Sequence, residues 1–214
     1  MSKIIIIGGH GKVALLLTPL LSGRGDDVTS IVRKQDHLEE VAMAGAAPVL
    51  ADIETMDTDA LASLIAGHDA VVWSAGAGGG DQARTYAVDR DAAIRSMDAA
   101  LTAGVSRYVM VSYSGAGKNH GVPESDSFHA YAEAKAAADE HLRASGLDYT
   151  ILGPSALTLD PASGTIAITA DRGTVSRGNV AAVIAEALEQ PTTIGKTIEF
   201  IDGDEPITEA LARV

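Results

Sequence analysis

The stretch IIIIGGHGKVALLL, residues 4–17, places four isoleucines directly before a glycine-rich turn and the start of a helical pattern. Its small residues follow the spacing G-x-x-G-x-x-A, in which Gly8 suits a tight turn and Gly11 allows a phosphate to approach the backbone closely. Ala14 would let the helix pack closely on the strand. The spacing alone fits either a pyrophosphate-binding turn or an ordinary corner between a strand and a helix.

The first helical turn after these glycines favours an anion, because its N–H groups lack partners within the helix and the helix dipole is positive there. Lys12 and Val13 occupy this turn, and Lys12 either reinforces a phosphate site or is simply solvated. His10, inside the glycine turn, is a further candidate for contact with a phosphate.

Apolar, β-branched runs alternate with helical segments along most of the chain, which predicts βαβ units and a parallel sheet. The runs are continuous, so both faces of the sheet should be covered by helices. We therefore expect a single domain with a Rossmann-type, doubly wound α/β fold in three layers. Predicted strands lie at 4–7, 28–32, 48–50, 70–73, 108–111 and 149–152, and predicted helices at 11–22, 35–44, 58–67, 83–103 and 127–145.

The pattern changes after Pro154, where the chain is expected to add a C-terminal segment on the substrate side of the same domain. This segment, about 154–214, is too small for a core of its own. Its predicted elements are a strand at 166–169, a helix at 179–189, a strand at 197–201 and a short helix after Pro206.

Composition argues against several classes of function. A net charge of −13 and a pI near 4.7 disfavour nucleic acid or an anionic membrane as partner. The absence of cysteine excludes disulfides, thiolate catalysis and Cys-ligated metal. The apolar run before Gly8 is too short for a signal peptide, and no run reaches the length of a membrane span, so we expect a cytoplasmic protein.

The end of the second predicted strand, SIVRKQ, decides between the two interpretations of the glycine turn. NAD-binding units usually carry an acid here to bind the ribose diol, whereas this chain has Arg33 and Lys34. An arginine in that place suits a 2′-phosphate, which favours NADP(H), with NAD(H) still possible. The alternative is an ordinary solvated strand end.

The next two strand ends supply further candidates for cofactor contact. Asp52 and Ile53 follow the third strand, where they either contact an adenine or form a turn before a helix. The segment after the fourth strand, Ala75, Gly76 and Ala77, would let the backbone approach the cofactor closely.

Tyr131 and Lys135 lie four positions apart and therefore on one face of a predicted helix. A neighbouring ammonium and a nicotinamide cation would lower the pKa of a phenol, which could then exchange a proton as hydride moves. Ser112 and Ser114 follow the fifth strand, at the sheet edge where ligands bind in open α/β sheets. Ser114 is the first choice for substrate contact, and Ser112 is either a second contact or a structural hydroxyl.

Taken together, the motifs resemble the atypical short-chain dehydrogenase/reductase family, in its small single-domain branch of NAD(P)-binding, epimerase/dehydratase-like proteins. The resemblance covers nearly the whole chain, and its segments are IIIIGGHGKVA, IVRK, ADI, VVWSAGAGG, YVMVSYSGAG, YAEAK, SGLDYTILGPSALT and TIGKTIEFIDGDEPI.

The resemblance implies that Tyr131 and Lys135 are the catalytic tyrosine and lysine, with Lys135 also bonding the nicotinamide ribose. It further implies that Gly153 and the residues after it, Pro154, Ser155 and Ala156, line the nicotinamide site. Similar proteins often have arginine where this chain has Gly153, a difference that bears on contacts with substrate or cofactor.

Of the six histidines, His37, His68 and His141 have no partner at ligand spacing, so no metal site is expected. We expect His120 and His129 to border the substrate mouth. The loops at 76–82, 115–128 and 155–165 should contact a small-molecule substrate. A small-residue face on the helix at 83–103 leaves monomer and homodimer open. The sequence thus favours an NADP(H)-dependent oxidoreductase or epimerase acting on a small carbonyl or sugar-like substrate. The alternative is a non-catalytic NAD(P)-binding sensor.

Overall fold

A mixed sheet, mostly parallel, organises the part of the chain that the computed structural model describes, residues 1–79 and 81–214. The strands of the described chain are β1 (Lys3–Ile7), β2 (Asp27–Val32), β3 (Ala47–Leu50), β4 (Ala70–Trp73), β5 (Arg107–Val111), β6 (Asp148–Pro154), β7 (Ala156–Thr158), β8 (Thr165–Ile168), β9 (Thr174–Ser176), β10 (Lys196–Asp202) and β11 (Glu205–Pro206). The sheet has the strand order β11-β8-β10-β6-β5-β4-β1-β2-β3, and β7 and β9 form a separate pair. The neighbours from β3 to β10 are parallel, whereas β8 pairs with β10 and β11 in antiparallel fashion.

Helices cover both faces of this sheet. They are α1 (Lys12–Gly23), α2 (Leu38–Met43), α3 (Thr58–Ile65), α4 (Gln82–Thr85), α5 (Ala93–Ala103), α6 (His129–Ala144), α7 (Arg177–Glu189) and α8 (Ile207–Ala212). Short 3₁₀ turns occupy Gln35–His37 and Pro191–Thr193, and a π-helical turn at Tyr86–Ala92 joins α4 to α5. The Rossmann-type fold predicted from the sequence is confirmed.

The four isoleucines of β1 divide the core into two layers. Ile4 and Ile6 pack in a cluster with α1 and α7, while Ile5 and Ile7 pack in a second cluster with α3, α5 and α6. Adjacent residues of a strand point to opposite faces of the sheet, so a continuous apolar run serves both layers. This burial fixes the glycine turn that follows Ile7 at the carboxyl edge of the sheet.

The predicted strands and helices agree with the structure, apart from short elements that no apolar pattern in the sequence marks. The short parallel pair formed by β7 and β9 was not predicted, because three-residue, largely exposed strands leave no periodic signal. The helix predicted at 83–103 contains the π turn at Tyr86–Ala92, which local spacing does not reveal. In the predicted loop at 76–82, Gly80 lies outside the described residues.

The small-residue face of the α4–α5 helix does not form a free pairing surface. Its members are buried within the chain itself, at Asp89, Ala93, Met97 and Ala100. The small residues instead allow close packing of α5 against α3 and of the π turn against α6. Within the described residues, no helix combines the length and apolar character needed to cross a bilayer.

Candidate active site

The glycine turn after β1 is shaped by close backbone packing. Gly8 adopts a φ of +91°, and a Cβ on it would lie 2.5 Å from the Cα of Ala75, just after β4. A Cβ on Gly11 would lie 3.2 Å from the carbonyl oxygen of Gly8. Both positions therefore require small residues to bring the turn against β4. The two glycines thus leave a cradle that larger side chains at their positions would fill. This cradle fits a phosphate group.

Helix α1 begins at this cradle with its first backbone donors available. Gly11 occupies the N-cap position without a side-chain cap, and its own N–H donates to the carbonyl oxygen of Gly8 at 2.9 Å. The first N–H groups of a helix need an external acceptor. Since the helix dipole is positive at this end, an anionic pyrophosphate is a suitable acceptor.

A cleft of about 230 Å³ opens at the carboxyl ends of β1, β2, β3 and β4. Its lining includes the predicted residues Gly8, His10, Gly11, Arg33, Ile53, Ala75 and Gly76. Among the lining residues that were not predicted, three have ionisable side chains, His37, Glu54 and Arg84. No local motif marks these three, because they come from different elements and meet only in the folded chain.

Charged side chains form an ion-pair cluster on one wall of the cleft. Glu54 accepts a hydrogen bond from the guanidinium of Arg33 at 3.1 Å and one from Nε of Arg84 at 2.9 Å. A third guanidinium nitrogen, on Arg84, donates to the carbonyl oxygen of Ala77. Arg33 is therefore at the cleft, as the sequence predicts, but its charge is already paired with an acid.

Two histidines stack at the rim of the same cleft. The rings of His10 and His37 lie 3.5 Å apart at an interplanar angle of 11°. Nε2 of His10 is 2.7 Å from a carboxylate oxygen of Glu40 on α2, a contact that holds the His10 ring. Predicted as a phosphate contact, His10 is thus fixed beside the glycine turn by residues that follow β2.

Four other predicted cofactor residues lie beside the cleft instead of lining it. Oδ1 of Asp52 accepts the N–H of Glu54 at 3.1 Å, a bond that fits a turn residue. Ile53 lines the cleft and Asp52 does not, so Ile53 is the better placed of the two for contact with an adenine. Val13 is buried in the core, and Lys12 and Lys34 are exposed to solvent. At Lys12 and Val13 the backbone, not the side chain, is the part available to a phosphate.

Gly76 also lines a second cavity, so the cleft continues along the sheet edge towards Tyr131. Tyr131 borders this cavity and a third one, of about 460 Å³, which lies beyond it at the carboxyl ends of β5 and β6. The third cavity is lined by Ser112, Tyr113, Ser114, Phe128, Tyr131, Pro154, Ser155, Ala156 and Leu157. The predicted serines, Tyr131 and the residues predicted beside the nicotinamide therefore meet in the third cavity. The cleft and these two cavities together are called the groove.

Two aromatic rings lie next to the ring of Tyr131, at one end of the groove. The ring centroids of Tyr113 and Phe128 lie 5.6 Å and 5.1 Å from that of Tyr131, and those two rings contact each other edge to face at 5.1 Å. Such tilted arrangements are favourable and rigid. Tyr113 and Phe128 were not predicted, because isolated aromatic residues in a loop have no distinctive spacing.

Lys135 follows Tyr131 by four positions on α6, and its side chain reaches into the core beside β5. Its side chain is 1% exposed, and its Nζ donates to the carbonyl oxygen of Val111 on β5 at 2.8 Å and contacts Sδ of Met110 at 3.1 Å. Burial lowers the pKa of the Lys135 ammonium, an effect opposed by the charges of Asp139 and Asp89.

The pKa of Tyr131 is raised, mainly by burial and further by the negative charges of Asp89 and Asp139. The lowered pKa expected from the sequence belongs to a site that also holds a nicotinamide cation. In the protein alone, burial and the two carboxylates act in the opposite direction, so the phenol keeps its proton near neutral pH.

Two buried acids connect the groove to the core. Asp89, in the π turn, accepts the N–H of Ala77 at 3.0 Å, while Asp139, on α6, accepts the hydroxyl of Ser112 at 2.6 Å. Burial raises the pKa of both carboxyl groups, and the Lys135 charge opposes that change. The Ser112 hydroxyl is therefore engaged in a structural bond, which leaves Ser114 as the better-placed serine.

Gly153 has a packing role in this chain. A Cβ on it would lie 3.1 Å from Cγ of Glu199 and 3.2 Å from the carbonyl oxygen of Tyr113. The Glu199 carboxylate bonds the N–H of Gly115 and so holds the loop after β5. An arginine at position 153 would displace this arrangement.

Among the described residues, no group of three or more His, Asp or Glu side chains is arranged to hold a metal ion. His120 instead pairs with Glu133 at 2.7 Å, and His129 bonds the carbonyl oxygen of Val122 at 2.9 Å. Both histidines thus stabilise the loop before α6.

Comparison with known proteins agrees with this geometry. A family model described as NAD(P)H-binding matches residues 8–191. The chain belongs to the NAD(P)H-binding family. That range starts at the glycine turn and includes Tyr131 and Lys135, and the family assignment confirms the resemblance to atypical short-chain dehydrogenase/reductases. It also supports a nicotinamide cofactor.

Individual proteins of known sequence or structure resemble the chain along nearly its whole length. The uncharacterized sugar epimerase YhfK of Bacillus subtilis is 34% identical over 99% of this chain and 100% of its own. The structure of the oxidoreductase ylbE from Lactococcus lactis has a TM-score of 0.89 at 30% identity, covering 99% of this chain and 96% of that one. ChuY, named an anaerobillin reductase of Escherichia coli O157:H7, has a TM-score of 0.78 at 25% identity, covering 95% and 98%.

Proposed function

We propose that this protein is an NADP(H)-dependent oxidoreductase that reduces a small carbonyl compound at Tyr131. The observation that carries the proposal is the continuous groove along the sheet edge, which starts at the glycine cradle and Arg33 and ends at Tyr131. Extended dinucleotides bind across the carboxyl ends of the strands in such sheets.

The residues present fit a bound dinucleotide along this groove. The cradle of Gly8 and Gly11 with the start of α1 would hold the pyrophosphate, and Ile53 would pack on the adenine. Arg33 and Arg84 would pair with a 2′-phosphate, which supports NADP(H) over NAD(H). Ser155 and Ala156, with Pro154, would border the nicotinamide.

When bound, the reduced nicotinamide supplies a hydride to the carbonyl carbon of the substrate. Tyr131 holds the proton that the carbonyl oxygen needs, because its raised pKa keeps the phenol neutral. The Ser114 hydroxyl is available to orient that oxygen by donating a hydrogen bond. Lys135 would act from behind, by balancing the charges of Asp89 and Asp139.

The lining of the third cavity favours an apolar, flat carbonyl compound over a sugar. Its nine described residues include three aromatic rings and no charged side chain. Sugar hydroxyls need several polar partners, whereas aromatic surfaces suit conjugated rings. Aromatic aldehydes and quinones are therefore the substrates to test first, although a relative is named a sugar epimerase.

A dinucleotide-binding sensor is the second candidate, and the burial of Lys135 against Val111 favours it. A sensor needs the cleft but not the Tyr131 hydroxyl. The Tyr131→Phe variant separates the two functions, because it removes one hydroxyl and keeps the ring packing.

The experiment measures NADPH oxidation with a panel of aromatic aldehydes, quinones and nucleotide sugars. We expect turnover with members of the first two classes and a loss of about 10²-fold or more in kcat for Tyr131→Phe, with NADPH affinity unchanged. The control is Tyr149→Phe, at a tyrosine of β6 outside the lining of these cavities. If Tyr131→Phe kept full activity on every active substrate, Tyr131 would not be the proton donor.

A further inference from the structure

Glu54 lies between two arginines at the point where the proposed cofactor would place its adenosine ribose. Its carboxylate is bonded by Arg33 at 3.1 Å and by two nitrogens of Arg84, each at 2.9 Å. The Glu54 side chain is 21% exposed, and all three side chains line the cleft. A ligand entering the cleft therefore meets a paired charge cluster, not two free guanidinium groups.

The backbone of Glu54 is fixed, which restricts any response to its side chain. Its N–H donates to Asp52 at 3.1 Å, and its carbonyl oxygen accepts from the guanidinium of Arg95 at 3.1 Å. The carboxylate itself is at the cleft surface and can change its partners by side-chain rotation alone. Two competing ligands for Arg33 and Arg84 thus exist, the carboxylate of this residue and an incoming anion.

Arg84 and Arg33 are held to different degrees. Arg84 also bonds the carbonyl oxygen of Ala77 and lies on α4, so it is tied to the loop after β4. The Arg33 side chain is 43% exposed at the end of β2. We therefore expect Arg33 to move towards a 2′-phosphate while Arg84 stays in place.

We propose that Glu54 sets the discrimination between NADP(H) and NAD(H), as a carboxylate that competes with the 2′-phosphate for Arg33 and Arg84. A 2′-phosphate must displace or repel this carboxylate, whereas a ribose diol can donate hydrogen bonds to it. In NAD-specific proteins an acid at the end of β2 binds the ribose diol. Glu54 would bind the diol in the same way from the loop after β3. This inference rests on the proposed cofactor function and deepens it.

The test compares dissociation constants of NADPH and NADH, and of 2′,5′-ADP and 5′-AMP, for the wild type and Glu54→Gln by calorimetry. Glutamine keeps the size of the side chain and removes its charge. We expect the NADPH:NADH affinity ratio, and the ratio for the two adenosine phosphates, to rise about tenfold, equal to about 1.4 kcal/mol. An unchanged or lower ratio would overturn the proposal.

Two further variants locate the effect. Glu39→Gln, on the exposed first turn of α2, removes the same charge from the surface and should leave the ratio unchanged. In an Arg33→Ala background the effect of Glu54→Gln should fall at least about threefold, because coupled residues are non-additive. An equal effect in both backgrounds would contradict competition for Arg33. If the wild type bound neither dinucleotide, the proposed function would fail first.

Discussion

At Gly8 the chain turns with a φ of +91°, and an added methyl group would lie 2.5 Å from the Cα of Ala75. Two independent constraints therefore act at this residue, a left-handed backbone and a close contact with the chain after β4. Gly104, which ends α5 with a φ of +72°, has only the first constraint, because no atom lies within 4 Å of its added Cβ. The two glycines thus differ in what an alanine would cost.

We expect Gly8→Ala to lower the free energy of unfolding by about 3 kcal/mol or more, from left-handed strain and overpacking combined. Gly104→Ala should cost only about 1–2 kcal/mol, from backbone strain alone. Urea unfolding followed by circular dichroism measures both. Equal losses for the two variants would show that the contact with Ala75 is not a constraint.

The raised pKa of Tyr131 has a consequence for the dependence of activity on pH. A phenol that donates a proton loses this ability only above its pKa, and burial together with Asp89 and Asp139 moves that pKa above its ordinary value of about 10. Carbonyl reduction should therefore show no Tyr131-dependent decline between about pH 6 and 9. The measurement is kcat/KM against pH for the wild type. A decline centred near neutral pH would contradict the assignment, provided that NADPH binding was constant over that range.

At the scale of elements, Arg107 joins the amino end of β5 to three other parts of the chain. Its guanidinium donates to the carbonyl oxygens of Asp148 at 2.7 Å and Ala187 at 2.6 Å, and to Oγ1 of Thr193 at 3.1 Å. Burial lowers the pKa of Arg107 to about 10, which remains high enough for it to be charged at neutral pH. This side chain connects β5 and β6 to the end of α7.

Removing this connection should destabilise the protein. We expect Arg107→Met to lower the free energy of unfolding by about 2–4 kcal/mol, because partly buried acceptors lose a charged donor. Arg143→Met is the matched control, since Arg143 makes an exposed bond of 3.3 Å to Thr197 and should change stability by no more than about 0.5 kcal/mol. Thermal and urea unfolding measure both variants. A similar loss of stability in the two would contradict the structural role of Arg107.

Elements that depend on local pattern were predictable, and those that depend on distant pairing were not. β1 and its glycine turn follow from the consecutive residues 4–14, while Tyr131 and Arg33 follow from spacing relative to predicted strands. In the ion-pair cluster, Arg33 lies 21 positions from Glu54 and Arg84 lies 30 positions from it. Because the three residues come from separate parts of the chain, no local signal exists for the cluster. The orientation of Lys135 was also not predictable, because helical spacing alone does not place its Nζ against Val111.

At the scale of the whole molecule, the cleft contains cationic side chains although the chain as a whole is strongly negative. The chain has a net charge of −13, yet the cleft at the glycine turn contains Arg33 and Arg84 beside His10 and His37. A local concentration of donors at a helix N-terminus can bind an anionic dinucleotide despite the overall charge. Long-range repulsion should still slow its approach, more strongly at low salt.

The only tryptophan in the sequence offers a direct view of this groove. Trp73 is fully buried at the end of β4, immediately before Ser74 and Ala75, which line the cleft. A reduced dinucleotide bound along the groove would lie close to the Trp73 indole. Excitation of Trp73 should then be transferred to the nicotinamide, a signal specific to bound cofactor.

The most direct test is a titration of the protein with NADPH and with NADH, followed by quenching of Trp73 and sensitised nicotinamide emission. We expect saturable transfer with both, with NADPH bound more tightly, and a fall of about tenfold in the NADPH:NADH affinity ratio for Arg33→Ala. An unchanged ratio for Arg33→Ala would contradict 2′-phosphate recognition at Arg33. The absence of saturable transfer, together with the absence of calorimetric binding of either dinucleotide, would contradict the central claim that this groove holds NADP(H).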